Sequence, residues 1–325
     1  MSSVQSSSVQ TASSVFGMAA STTASVKNTT ALYPARRRRR MDERSVSDTD
    51  TRRAVHGVDF SGAREAGSKI HVASGTIEGD GLRIERCRSV AEEIDTAARA
   101  SSLEYLRDFL ANERGAVVGL DFSFGVPRRV VDATSWHAFV REFDFESVEE
   151  MTDTYVARTR ERTDGERTYL KRATDAETGA SSPYDFVVSS QTLYGIGNVL
   201  RPLALDDRVS VLPMDDPRED RPWLCEIYPA ATLRELGVPD ERYKNDAKYP
   251  EARGRRERIV AGLREAGVTI AEEGIVKRAI EDSGGDALDS VVAAFAVSRA
   301  LREGRLTDAR RSHDERRLLE GHIYV

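Results

Sequence analysis

An α/β fold built on one mixed sheet of five strands, an antiparallel meander joined to parallel strands and flanked by helices, is what this 325-residue sequence predicts. Three observations carry that reading. Short apolar runs at 54–60, 116–122 and 223–229 have the length and boundaries of buried strands. The stretches 250–266, 271–282 and 285–303 repeat apolar residues at helical spacing. Between the first two runs, Gly79-Asp80-Gly81 supplies the turn chemistry of a hairpin.

Taken in order, strand one (54–60) ends at Ser61-Gly62-Ala63, and strands two (68–77) and three (82–88) complete a meander. Residues 89–113 read as helical, with Ser101 or Ser102 as an internal cap before Leu103, Leu106, Phe109 and Leu110. Strand four (116–122) has the continuous apolar run of a central strand covered on both faces. About 123–222 is an insertion, with a helix near 135–143, a charged stretch at 147–163 and a packed helix around Leu193–Leu200. Strand five (223–229) breaks at Pro229 into a helix carrying Leu233 and Leu236, and three further helices follow. The expected domain is 53–325.

Composition narrows the function classes. Apolar residues make up 39% and charged residues 31%, the balance of a globular chain. No apolar run approaches the roughly 20 residues needed to span a bilayer, so a soluble protein with no membrane partner is expected. Cys87 and Cys225 are too few for a disulfide framework and lack zinc-ligand spacing, so a reducing cytoplasm is the expected setting. His56, His137 and His322 are scattered, and no nucleophile motif emerges. Residues 1–52, rich in Ser, Thr, Ala and Val without periodicity, read as a disordered low-complexity segment. Met41 follows the run Arg36–Arg40 and opens an acidic stretch, so residues 1–40 also read as lying outside the natural product. Six basic groups and no acid fall in 1–40; taking those six from 48 leaves 42 basic against 54 acidic groups. An acidic body of that kind speaks against broad, nonspecific nucleic-acid binding.

Five carboxylates stand in unusual places. Asp59 closes the run Val55-His56-Gly57-Val58-Asp59, Asp121 closes Val117-Val118-Gly119-Leu120-Asp121, and Glu226 lies inside Trp223-Leu224-Cys225-Glu226-Ile227. Asp286 and Asp289 open the last long helix, where Asp289 shares a face with Val292, Ala293 and Ala296. Burying an ionised carboxylate costs about several kcal/mol unless a cation or hydrogen bonds compensate. Each has a structural alternative. Asp59 and Asp121 could be turn formers, Asp286 and Asp289 helix-start stabilisers, and Glu226 a buried acid paired with an arginine. Together they predict a divalent-metal site. Mg²⁺ and Mn²⁺ prefer hard oxygen ligands, so aspartates and glutamates without Cys or His are the expected set.

The order of these elements, with carboxylates on strands one and four and on the last helix, resembles the ribonuclease-H-like fold, and the Asp-x-x-Asp helix resembles its RuvC-type branch. Gly57-Val58-Asp59, Leu120-Asp121, Glu226-Ile227-Tyr228-Pro229-Ala230, Asp286-Ala287-Leu288-Asp289 and Glu320-Gly321-His322-Ile323-Tyr324 are similar to motifs of domain-of-unknown-function family 429, described as predicted nucleases of that fold. The resemblance covers 54–325. It implies a phosphodiester hydrolase with two Mg²⁺ or Mn²⁺ ions. Asp59 would bridge both ions, Asp121 and Glu226 would bind one, Asp289 the other, and Asp286 would be an outer or alternative ligand. Glu226 departs from the better-known enzymes of the fold, which leaves open whether it or Asp121 is the second ligand.

Nucleic acid is the expected partner. The net-basic stretch carrying Arg158, Arg160, Arg162, Lys171 and Arg172 interleaves with Tyr155 and Tyr169 and could track phosphates or be a solvated helix face. Arg253, Arg255, Arg256 and Arg258 form a second such cluster. Two other functions stay open at this point. One is a non-catalytic scaffold of the same fold that binds nucleic acid or protein. The other is an actin-like or sugar-kinase-like phosphotransferase, raised by Asp59-Phe60-Ser61-Gly62 and Asp121-Phe122-Ser123-Phe124-Gly125, although that fold needs two duplicated domains and only one meander is visible.

Overall fold

The structure is a computed structural model and describes residues 54–325. The expectations for residues 1–52 lie outside the described residues. A single mixed sheet runs through the molecule: β1 (Ala54–Asp59), β2 (His71–Glu78), β3 (Gly81–Ser89), β4 (Val117–Asp121), β5 (Ser210–Leu212), β6 (Trp223–Ile227), β7 (Val268–Ile270) and β8 (Ile323–Tyr324). Their order is β5-β6-β4-β1-β2-β3-β7, and β8 also pairs with β6. β1, β2 and β3 form the antiparallel meander; β4 lies parallel to β1 and β6 parallel to β4.

The sheet therefore has eight strands where five were expected. The three additions are two or three residues long, too short to show a period. β5 comes from the insertion and pairs with the first half of β6, while β8, at the chain end, pairs with the second half. The helix expected over 89–113 is also two. Val90–Ile94 carries a Ser89/Glu92 capping box and stops at Asp95, whose φ is 55°. Arg99–Asn112 then starts four residues earlier than a Ser102 cap would allow, and the Ser102 hydroxyl donates back to the Ala98 carbonyl at 2.8 Å.

Strand alternation sorts the core into two layers. Val55 and Ala73 face the long helix Asp286–Arg302, which is buried along most of its length. Val58, Val118, Leu120 and Leu224 face the other way, onto Leu103, Leu106 and Leu110 and onto the insertion. Residues 123–222 are thus a core layer in their own right: Trp136, Phe139, Phe143, Met151, Tyr155, Tyr184 and Ile196 all pack there. One meander in one sheet is present among the described residues, and no duplicate of it.

The long helix sits unusually close to the sheet. A Cβ on Gly57 would lie 2.1 Å from both the Ala294 nitrogen and the Ser290 carbonyl oxygen, and one on Gly119 would lie 2.8 Å from the Ala293 carbonyl oxygen. Gly57 and Gly119 are register partners. Two adjacent strands therefore present bare backbone to a helix face of Ser290, Ala293 and Ala294, and backbone packs on backbone. Gly57→Val is expected to cost about 3 kcal/mol or more through overpacking against main chain that cannot move aside. Urea denaturation monitored by Trp fluorescence checks it.

Candidate metal centre

The close helix approach places the site. Asp59 and Asp121 are the last residues of β1 and β4 and are direct register partners. Each lies two residues beyond its glycine, so both carboxylates leave the sheet on the helix side. At the helix start, Gly285 has φ 77°, and the Asp282 side chain accepts from the Gly284 and Ala287 N–H groups at 3.0 and 2.9 Å. Asp289 follows in the first turn, aimed at the strand ends. One carboxylate oxygen from each of Asp59, Asp121 and Asp289 lies within 4.8 Å of the others. Asp59 and Asp289 are buried and Asp121 is partly exposed.

Two side chains from the 237–251 loop complete the cluster. Tyr243 donates its hydroxyl to Asp289 Oδ1 at 2.9 Å, and the Lys244 ammonium pairs with Asp289 Oδ2. The loop is pinned from behind by Arg256, fully buried, which donates to the Tyr243 and Ile280 carbonyls and to both oxygens of Asp246. Asp286 stands apart from the three carboxylates and takes the Lys69 ammonium at 3.1 Å.

One ammonium against three carboxylates, two of them buried and one partly so, leaves the cluster short of positive charge. Burial pushes Asp59 well above the usual carboxylate range, Asp289, Asp121 and Asp286 add to the rise, and Lys244 opposes it. Asp121 is raised to about 8 by burial and Asp289. Asp289 is also raised by burial, against the pull of Lys244 and Tyr243. Burial works against the charge of Lys244, yet Asp289, Tyr243 and Asp59 hold its pKa above the ordinary value. Either protons or a hard cation must offset the remaining charge, and an all-oxygen aspartate set fits Mg²⁺ or Mn²⁺.

Glu226 lies elsewhere. It is the register partner of Leu120, so its side chain leaves the opposite face from Asp121. There it accepts two hydrogen bonds from Arg172, Nη1 to Oε2 at 2.7 Å and Nη2 to Oε1 at 2.5 Å, and one from the Phe124 N–H at 3.0 Å. The structure thus makes Glu226 the arginine-paired buried acid that the sequence also allowed. Arg172 is itself buried, holds Asp175 through three contacts and donates to the Glu320 carbonyl at 3.1 Å.

That placement corrects the basic stripe as well. Arg172 is 1% exposed, and its guanidinium is already committed to Glu226, Asp175 and the Glu320 carbonyl. Arg158 donates to the Val130 carbonyl, and Arg162 is spent on the Arg129 and Val131 carbonyls and Asp132. Arg160 and Lys171 are exposed. In the second cluster, Arg256 is the loop anchor described above. Sequence reasoning missed Tyr243 and Lys244, which sit in an aperiodic polar loop. The available signal was composition: only six of the 48 basic residues are lysines, and two of them, Lys69 and Lys244, contact aspartates singled out for the site.

A sequence profile described as Protein of unknown function (DUF429) matches residues 57–313. The chain belongs to the DUF429 family. No curated protein and no solved structure matches it. In this DUF429 chain the matched stretch takes in Asp59, Asp121, Glu226, Asp286 and Asp289, and also Tyr243, Lys244 and Arg172. Glu320–Tyr324 falls beyond it.

Two outcomes are expected. Asp121, with a folded-state pKa of about 8 against an ordinary 3.8, holds a proton that the unfolded chain releases, so its stabilising contribution is full below pH 3.8 and is lost as pH rises through 8. Without added metal, Asp121→Asn should therefore raise stability by about 0.5–2 kcal/mol at pH 8 and by less at pH 5. Mn²⁺ should raise the parent Tm more at pH 8 than at pH 5, and the variant's far less; scanning calorimetry reads all four values. On the opposite face, Arg172→Met should cost about 3–5 kcal/mol by stranding Glu226 and Asp175, and adding Glu226→Gln and Asp175→Asn should recover part of that loss in urea titrations.

Proposed function

We propose that this chain is a metal-dependent nuclease, hydrolysing phosphodiester bonds of nucleic acid at the Asp59–Asp121–Asp289 cluster. The observation that carries the reading is the convergence of those three carboxylates, from two neighbouring parallel strands and one helix start, on a single point. The meander, the parallel β4 and β6 and the closing aspartate-bearing helix are the features on which the resemblance to the ribonuclease-H-like, RuvC-type fold rests, and here they surround the site.

Mg²⁺ or Mn²⁺, two ions on the resemblance, would acidify an attacking water and neutralise the leaving oxygen. Asp59, Asp121 and Asp289 would hold them, while Asp286, paired with Lys69, lies outside the cluster. The chain's own groups do the rest. Tyr243 and Lys244 fix the orientation of Asp289, and the Lys244 ammonium is the protein's cation where a phosphodiester would meet the carboxylates. Glu226 acts one step back: through the Phe124 N–H and Arg172 it holds the turn that follows Asp121.

Asp59→Asn and Asp289→Asn should each lower cleavage by more than about 100-fold, beyond what loss of an outer partner of a metal ligand typically does. Calorimetry with Mn²⁺ and gel assays on labelled DNA and RNA strands read binding and turnover separately. Metal binding without cleavage of any substrate would favour the scaffold reading, and absence of metal binding would overturn the nuclease reading.

A further inference from the structure

We infer that the site takes unpaired nucleic acid, with a nucleoside next to the reacting phosphate turned out into a tyrosine-lined cavity on one side of the carboxylates. The inference rests on the nuclease reading and adds the substrate class. Two cavities meet at the cluster and share Asp121, Tyr228 and Lys244 as lining. Asp289 opens onto the first and Asp59 onto the second. A phosphodiester seated at the carboxylates therefore has one cavity on either side of it, and the nucleosides flanking that phosphate are what the two cavities receive.

The first cavity, about 550 Å³, lies within the roughly 300–1,000 Å³ of small-molecule sites. Tyr228, Tyr243 and Tyr249 line it. Asp240 and Glu241 line it too, and with Asp121 and Asp289 they outnumber the cations Arg242 and Lys244, so a further phosphate would meet net negative charge there, whereas a neutral base would meet aromatic surface. Arg242 also lines the cavity, its guanidinium carbon 5.8 Å from the Tyr249 ring centroid, and Lys248 Nζ lies 5.0 Å from the same centroid.

The second cavity, about 240 Å³, is smaller and includes Val187 and Val188 in its lining. Next to them Phe186 is 85% exposed and Val187 62% exposed, well above the other large apolar side chains on the described surface. An aromatic ring held in water beside the cleft is a platform on which a base can stack. In a duplex every base is stacked and paired, and reaching either cavity means leaving the helix. The acidic body of the chain also argues against the broad phosphate contact that duplex binding uses.

The test uses the full chain with Mn²⁺, one labelled strand, the same strand in a blunt duplex, and a duplex carrying an unpaired flap. Cuts are expected in the single strand and in the flap, and not within paired segments. Tyr249→Ala and Phe186→Ala should each raise KM for the single strand about tenfold, with Mn²⁺ binding by calorimetry unchanged. Phe186 is so exposed that its truncation leaves folding intact, which guards against a trivial loss in the Tyr249 variant. Cutting within the blunt duplex as fast as within the single strand, or an unchanged KM in both variants, overturns the unpaired-substrate inference and leaves the nuclease reading standing. No cutting of any strand overturns both.

Discussion

The contact on which the site depends is between main chains: the Asp286–Arg302 helix lying against Gly57 and Gly119. Side chains at those two positions would hold the helix off the sheet and carry Asp289 away from the strand ends with it. The aspartates are therefore brought together by what their neighbours lack. Gly57 and Gly119 are paired across β1 and β4, Asp59 and Asp121 are paired two residues later, and the helix that needs the first pair supplies the partner of the second. Packing and chemistry share one register, and a slip by one residue would move both to the wrong face.

Two ionic systems lie on opposite faces of the same sheet, and they are compensated differently. On the insertion side, Arg172 sits between Glu226 and Asp175, with a guanidinium fork that matches carboxylate geometry and backbone groups filling the remaining positions. It is closed to solvent. On the helix side a single flexible lysine faces three aspartates, and its side chain is partly exposed. A compact ammonium at the end of a four-carbon chain can yield its place to another cation, which a planar fork held by several acceptors cannot do so readily. The first system is built to stay as it is; the second is built to accept charge.

Much of this was legible in the sequence, for reasons that differ from element to element. β1, β4 and β6 announce themselves as continuous apolar runs because both of their faces are covered, and the long helix does so through its apolar face. Asp59, Asp121 and Asp289 stood out because each interrupts such a run where burial makes charge expensive. Glu226 meets the same criterion in the sequence, yet the face it occupies depends on the pairing of Leu120 with Glu226, which no single strand reveals. Tyr243 and Lys244 carried no signal of period at all, since their placement comes from Arg256 in a later helix. Arg172 reads as surface because a basic stretch usually is; only tertiary contact turns an arginine beside Lys171 into a buried clamp.

The clamp explains why so distant a part of the chain as Glu320–Tyr324 belongs with the site. Glu320 accepts from the Arg128 N–H at 2.7 Å and the Ala173 N–H at 3.0 Å, and its carbonyl takes Arg172. Gly321, at φ 90°, passes so close that a Cβ there would lie 3.1 Å from a Glu226 oxygen and 3.2 Å from an Arg172 nitrogen. β8 then pairs with β6 directly beside Glu226. The turn after β4, the insertion, β6 and the chain end are thus joined at one ionic knot behind Asp121. A strand end alone would leave that aspartate free to swing. Tied through Phe124 to Glu226, it is held by contacts that exist only when the chain has closed on itself, so the geometry of the cluster is a property of the finished fold and of no segment within it.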